Sequence, residues 1–154
     1  MSNPKGNKYN LSAARGDKHF QNMKELQESG ICFMCPEHLR DYSNNRIEFE
    51  TEHWIITPNA YPYKNTILHL LLIPKRHVKT MSDLSAKERL NFSEAIIEVE
   101  KRHKLDSYSL GMRNGDFRYN GGSVEHLHAH IIVGERDPKK FEKVRFKVSS
   151  LPES

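Results

Sequence analysis

The 154-residue chain has no long apolar run. Its longest, Ile67 to Ile73, is interrupted by His69 and is far too short to cross a bilayer. The N-terminus, Met1-Ser2-Asn3-Pro4-Lys5-Gly6, is polar and lacks the apolar stretch of a secretory signal, so a cytoplasmic location is expected. No internal repeat and no low-complexity tract is present, which excludes a repeat array or a biased linker. Nor does one charge sign dominate: the net charge of +4 is a small surplus spread along the chain. Such a surplus describes a solvated surface rather than a nucleic-acid footprint. Cysteine is scarce, with two residues in the whole chain.

The length suits one domain with a real core, not two. Residues 1–16 are polar and read as a flexible N-terminal arm, with a single domain over residues 17–154. Phe20, Met23 and Leu26 predict a helix from Lys18 to about Ser29, stopped by Gly30. Ile47 to Thr57 reads as a strand, and Pro58 to Tyr63 as a turn holding two prolines. A second strand, Ile67 to Ile73, ends at Pro74. Ser85 and Glu88 have capping-box spacing, opening a long helix to about His103 with Phe92, Ile96 and Val99 on one stripe. Tyr108–Arg113 and His126–Val133 are further strands around a Gly- and Asn-rich loop. This order predicts an α+β fold: a mostly antiparallel sheet, a long helix and a shorter N-terminal helix, with the helices on one face.

In His126-Leu127-His128-Ala129-His130 the histidines alternate with apolar residues. On a strand this puts three imidazoles on one face and Leu127, Ala129 and Ile131 in the core. Buried imidazoles need hydrogen-bond partners, so such a row is poor core material. Two chemistries suit it. One is metal ligation by neutral imidazole. The other is phosphoryl chemistry, in which one imidazole attacks phosphorus and its neighbours hold the oxygens. Separately, Cys32-Phe33-Met34-Cys35 reads as half a zinc site, a redox pair or two unremarkable thiols before a structural disulfide.

The stretch Gly121-Gly122-Ser123-Val124-Glu125-His126-Leu127-His128-Ala129-His130-Ile131-Ile132 resembles the signature of the histidine-triad (HIT) superfamily. Leu70 to His77 is similar to that family's strand ending in Ile-Pro-Lys-x-His, and Asn114-Gly115 matches another recurrent position. The resemblance implies a HIT-like fold and a nucleotidyl hydrolase or transferase, with His128 as nucleophile. His130 would bind a phosphate oxygen, and His126 would position the nucleophile. Asn114, Gly122 and Ser123 would contact the phosphate or leaving group, and Asn59 would lie near the ribose. Asn59-Ala60-Tyr61-Pro62-Tyr63 is reminiscent of members that split diadenosine polyphosphates, phosphorolytic ones included. Phosphoramidates and adenylylated metabolites fit the same signature.

The resemblance also implies a structural zinc on Cys32, Cys35, His77 and His126, since some branches carry Cys-x-x-Cys with those histidines. Two thiolates and two imidazoles form a closed tetrahedral set. His38 and His69 are the substitutes if His77 is not a ligand, and no organic cofactor is implied. His19, His53 and His103 have no partner visible in the sequence. A homodimer is expected, because helix Ser85–His103 lies in the family's dimer-forming region. The alternative function is a non-catalytic nucleotide-binding regulator on the same scaffold. A hydrolase using the three histidines on a catalytic metal would want a nearby carboxylate, and Glu125 points away from His126 and His128 on a regular strand.

Overall fold

The computed structural model describes residues 8–42 and 46–149. Helix α1 spans Asp17–Ser29 and stops where Gly30 takes a φ of 71°, a left-handed conformation that costs a glycine little. Helix α2, Pro36–Tyr42, begins on a proline, whose fixed φ suits a first helical position. The strand expected over Ile47–Thr57 is instead a hairpin of β1 (Phe49–Glu50) and β2 (Trp54–Pro58). The Thr51 hydroxyl accepts from the Trp54 N–H at 3.1 Å and Asn91 Oδ1 from the His53 N–H at 2.8 Å, so side chains satisfy the backbone of the reversal.

Strand β3 covers Thr66–Pro74. Helix α3, Ala86–His103, opens with the expected capping box: Ser85 Oγ accepts from the Glu88 N–H at 3.2 Å, and Glu88 returns to the Ser85 N–H at 2.6 Å. After β4 (Ser109–Arg113) the loop holds a short helix α4, Phe117–Asn120, and β5 runs from His128 to Gly134. His126 and Leu127 therefore precede the strand. All pairings are antiparallel, in the order β1-β2-β3-β5-β4.

Alternation along the central strands separates two cores. Trp54, Ile56, Leu70, Leu72, Ala129 and Ile131 pack against Phe92, Ala95 and Val99 of α3. Ile55, Leu71 and Ile73 point the other way and meet Met23 of α1, Leu39 of α2, Cys32 and Met34. Helices thus cover both faces, not one. The N-terminal segment is apolar at the positions that touch Ile55, Leu71 and Ile73, and it shields a face that the strand pattern makes equally apolar. Of the segment read as an arm, residues 8–16 sit on this second face: Tyr9 is buried, bridges to Val124 and donates its hydroxyl to the Ile31 carbonyl at 2.6 Å. Residues 1–7 lie outside the described residues. Among the described residues no helix is long and apolar enough to cross a membrane.

Candidate active site and thiol–imidazole cluster

His128 and His130 project from β5 onto the face covered by the N-terminal segment, where both are buried. His128 Nδ1 lies 2.6 Å from the His126 carbonyl oxygen. A carbonyl only accepts, so Nδ1 carries the proton and Nε2 keeps its lone pair. Burial pushes the His128 pKa down to about 3, which holds the ring in its neutral, nucleophilic form.

A second chain of hydrogen bonds sets His130. The Tyr63 N–H donates to His69 Nδ1 at 3.1 Å, so His69 is protonated on Nε2. That Nε2–H donates to His130 Nδ1 at 2.7 Å, which leaves the proton of His130 on Nε2. His130 Nε2 is buried and has no partner among the described residues. It is a donor held ready for an acceptor that the protein does not itself supply. Burial pushes the His69 pKa down to about 4, and burial with the neighbouring His128, His69, Arg113 and Arg15 lowers that of His130 further below its ordinary value. The Asn59 amide nitrogen stands 3.2 Å from His69 Nε2, but two donors face each other there and no bond forms.

His128 and His130 line a cavity with Arg15, His19, Asn59, Tyr61, Tyr63, Arg113, Gly122 and Ser123. Asn59 is fixed by accepting from the Tyr61 N–H at 2.9 Å. The wall at Gly121 needs glycine: its φ is 73°, and a Cβ there would collide with the Lys147 carbonyl. Asn114 does not line the cavity. Its Oδ1 accepts from the Met81 N–H at 2.7 Å, while its neighbour Arg113 faces His128 across the β4–β5 register.

Sequence reasoning missed Arg113 and Arg15 and assigned His69 only as a spare metal ligand. The alternation His69, Leu71, Ile73 carried the signal that puts His69 on the face of the histidine row. His19 is buried, lines the cavity and stacks on Tyr61 with centroids 4.2 Å apart. Glu125 is paired with Lys79 at 3.0 Å, and the described lining contains no carboxylate.

His126 faces a different cluster. Donor atoms of Cys32, Cys35, His77 and His126 all lie within 4.8 Å of one another. His126 Nδ1 is 3.5 Å from Cys32 Sγ and 3.8 Å from Cys35 Sγ, and His77 Nδ1 is 3.3 Å from Cys35 Sγ. A tetrahedral metal with ordinary zinc–sulfur and zinc–nitrogen bonds separates S and N by about 3.5 Å. His126 Nε2 is 2.9 Å from the Pro74 carbonyl, so it bears the proton and Nδ1 aims a lone pair at the thiols. Burial raises both thiols, Cys35 to about 12, so thiolates here require a cation at the centre. The four residues fit a zinc ion. His38 and His69 are not among them.

The HIT domain model matches residues 43–137. An uncharacterized HIT-like protein of Chlamydia trachomatis is 33% identical over 90 residues, covering 56% of this chain and 78% of that protein. The galactose-1-phosphate uridylyltransferase of Haemophilus influenzae is 36% identical over 98 residues, covering 56% of this chain but 26% of that enzyme. Among solved structures, a histidine triad protein from Clostridium difficile superposes with a TM-score of 0.50 at 22% identity, covering 70% of this chain and 96% of that one.

Proposed function

The chain belongs to the HIT domain family, and on that premise we propose that it transfers or hydrolyses a nucleotidyl group through a covalent intermediate on His128. The observation that carries this reading is the pair of oppositely set imidazoles. His128 presents a lone pair on Nε2, and His130 presents a proton on Nε2 that has no protein acceptor. The substrate class is a nucleoside phosphoanhydride or phosphoramidate, such as a diadenosine polyphosphate or an adenylylated metabolite. That a uridylyltransferase shares a stretch of this sequence supports nucleotidyl transfer as the chemistry.

His128 Nε2 attacks the phosphorus, the bond to the leaving group breaks, and its electron pair departs with that group. His130 Nε2–H and Ser123 hold the phosphoryl oxygens, where charge grows in the transition state. Water or phosphate then attacks the phosphorus, the Nε2–P bond breaks with its electron pair returning to His128, and the proton of the attacking group passes to solvent. Gly122 lines the same wall, and Asn59 faces the ribose. Asn114 is held by its Oδ1 accepting from the Met81 N–H, which leaves its amide N–H groups as what it would offer a phosphate or leaving group.

Zinc on Cys32, Cys35, His77 and His126 supplies, when bound, a tetrahedral cross-link away from the substrate. The His126 carbonyl is the acceptor that sets the His128 proton, so anchoring His126 also holds the nucleophile's tautomer. A regulatory binding protein would not need that lone pair preserved. A homodimer is part of the proposal: β4 is an outer strand of the sheet, and Leu110, with Leu90 and Ile97 of α3, exposes apolar surface.

The test is steady-state turnover of diadenosine tetraphosphate and an adenosine 5′-phosphoramidate. The His128→Ala variant is expected to lose at least about 10³-fold in kcat with an unchanged melting temperature. A variant that keeps wild-type turnover overturns the assignment.

A further inference from the structure

Two arginines outside the histidine relay face the same cavity. Arg113 is 4% exposed and lies opposite His128 in the sheet. Its guanidinium donates to the Asn120 carbonyl at 2.5 Å, to the Lys147 carbonyl and to the Tyr63 hydroxyl at 2.8 Å, and it lies 3.8 Å from the Phe146 ring centroid. Every one of these partners is neutral. Three of the five guanidinium N–H groups are used, and no other acceptor meets Arg113 among the described residues. Arg15 comes from the segment before α1, donates to the Tyr61 carbonyl at 2.6 Å and stands 5.0 Å from the Tyr63 ring centroid.

Neither arginine forms an ion pair among the described residues, and no Asp or Glu lines the described cavity. Arg113 is buried, and a buried guanidinium is ordinarily paired with an acid, because an uncompensated charge away from water is costly; Arg15 is exposed at the cavity rim. Here two cations flank one tyrosine, and both depress the neighbouring His69 and His130. The attacked phosphoryl group already has donors in His130 and Ser123. The buried Arg113 without an acid, with Arg15 beside it at the rim, calls for a further anion, and guanidinium forks match phosphate oxygens.

We propose that Arg113 and Arg15 form a subsite for a second phosphate beside the one that His128 attacks. This rests on the nucleotide reading above and narrows its substrates. The second phosphate belongs either to a phosphoanhydride leaving group or to inorganic phosphate acting as acceptor; a phosphoramidate of a neutral amine would leave the subsite unfilled. Phe146 and Lys147 hold Arg113 from the C-terminal segment, so that segment acts as a positioning element for the subsite.

The test is isothermal titration calorimetry on the full chain with AMP, with α,β-methylene-ADP, and with inorganic phosphate added to AMP-saturated protein. Wild type is expected to bind methylene-ADP about 10-fold more tightly than AMP, or to bind phosphate on top of AMP. Arg15→Gln and Arg113→Gln should each erase most of that advantage and change AMP affinity by less than about 2-fold. Arg15 is on the cavity rim, so its variant decides the matter if Arg113→Gln fails to fold. A methylene-ADP advantage alone assigns the subsite to the leaving group, and phosphate binding on AMP assigns it to the acceptor. Equal binding of AMP and methylene-ADP with no phosphate binding overturns the subsite alone, as does an advantage that survives Arg15→Gln. Folded wild type that binds neither nucleotide overturns the nucleotide reading as well.

Discussion

His69 shows how a residue that need not touch substrate decides what another can do. It passes the orientation of the Tyr63 N–H to His130, and the chain works only while both rings are neutral. Protonated His69 would carry a second N–H facing the Tyr63 donor and break the sequence. His19 is in the same position, accepting the Arg15 N–H on Nδ1 at 3.0 Å. Burial, then nearby Arg15, holds both pKa values near 4, and Arg113 adds to this at His69. An unfolded histidine titrates near 6.5. Between about 6.5 and 4 the unfolded chain therefore binds more protons, and stability falls as pH drops through that window. Urea midpoints measured from pH 7.5 to pH 5 should decline steadily, and His19→Gln should flatten the decline. A midpoint that stays level or rises toward pH 5 contradicts these assignments. The alternation on β3 made the side of His69 legible in the sequence, whereas Asn114 and Arg113 were one position apart and only the strand register decided which faces His128.

At the scale of elements, strong local signals carried through and weak ones did not. α3 was legible because a capping box and an apolar stripe agree, and its stripe buries Phe92 against Trp54 with centroids 4.6 Å apart. Removing the cap with Ser85→Ala should cost about 1 kcal/mol, or about 2–4 °C in melting temperature. Thermal denaturation checks this, and an unchanged melting temperature would show that the cap contributes nothing. The hairpin of β1 and β2 read as one strand because its reversal depends on Asn91 of α3, a tertiary partner with no local trace. α2 and α4 are only 7 and 4 residues long, too short for periodicity to reveal. The start of β5 moved from His126 to His128 because His126 turns its ring to the thiols and Pro74.

Over the whole molecule, the thiol–imidazole cluster joins three distant stretches: the turn before α2, the segment after β3 and the approach to β5. Zinc there would tie the N-terminal layer to the face of the sheet that carries His128 and His130. Cys32→Ser should remove stoichiometric zinc, measured by atomic emission on purified protein, and lower the melting temperature by more than about 5 °C. Unchanged metal content and unchanged melting would remove zinc from the account. The two-sided packing was hidden in the sequence because residues 8–16 look polar overall, although Tyr9, Asn10 and Ala13 are buried. The placement of the candidate site was legible in part, since the proposed nucleophile and phosphate donors, Ser123, His128 and His130, come from one ordered block and line one cavity. Its charge was not, because Arg15 and Arg113 meet only after the chain has folded around Tyr63.

The central claim is that His128 Nε2 carries the nucleotidyl group during turnover. Intact-protein mass spectrometry after rapid acid quenching tests it most directly, using diadenosine tetraphosphate in molar excess over wild type and His128→Ala. The account predicts an adenylyl adduct on the wild-type chain, mapped to His128 by fragmentation, and none on the variant. Product formation by His128→Ala at the wild-type rate, or an adduct mapped to another residue, would contradict it.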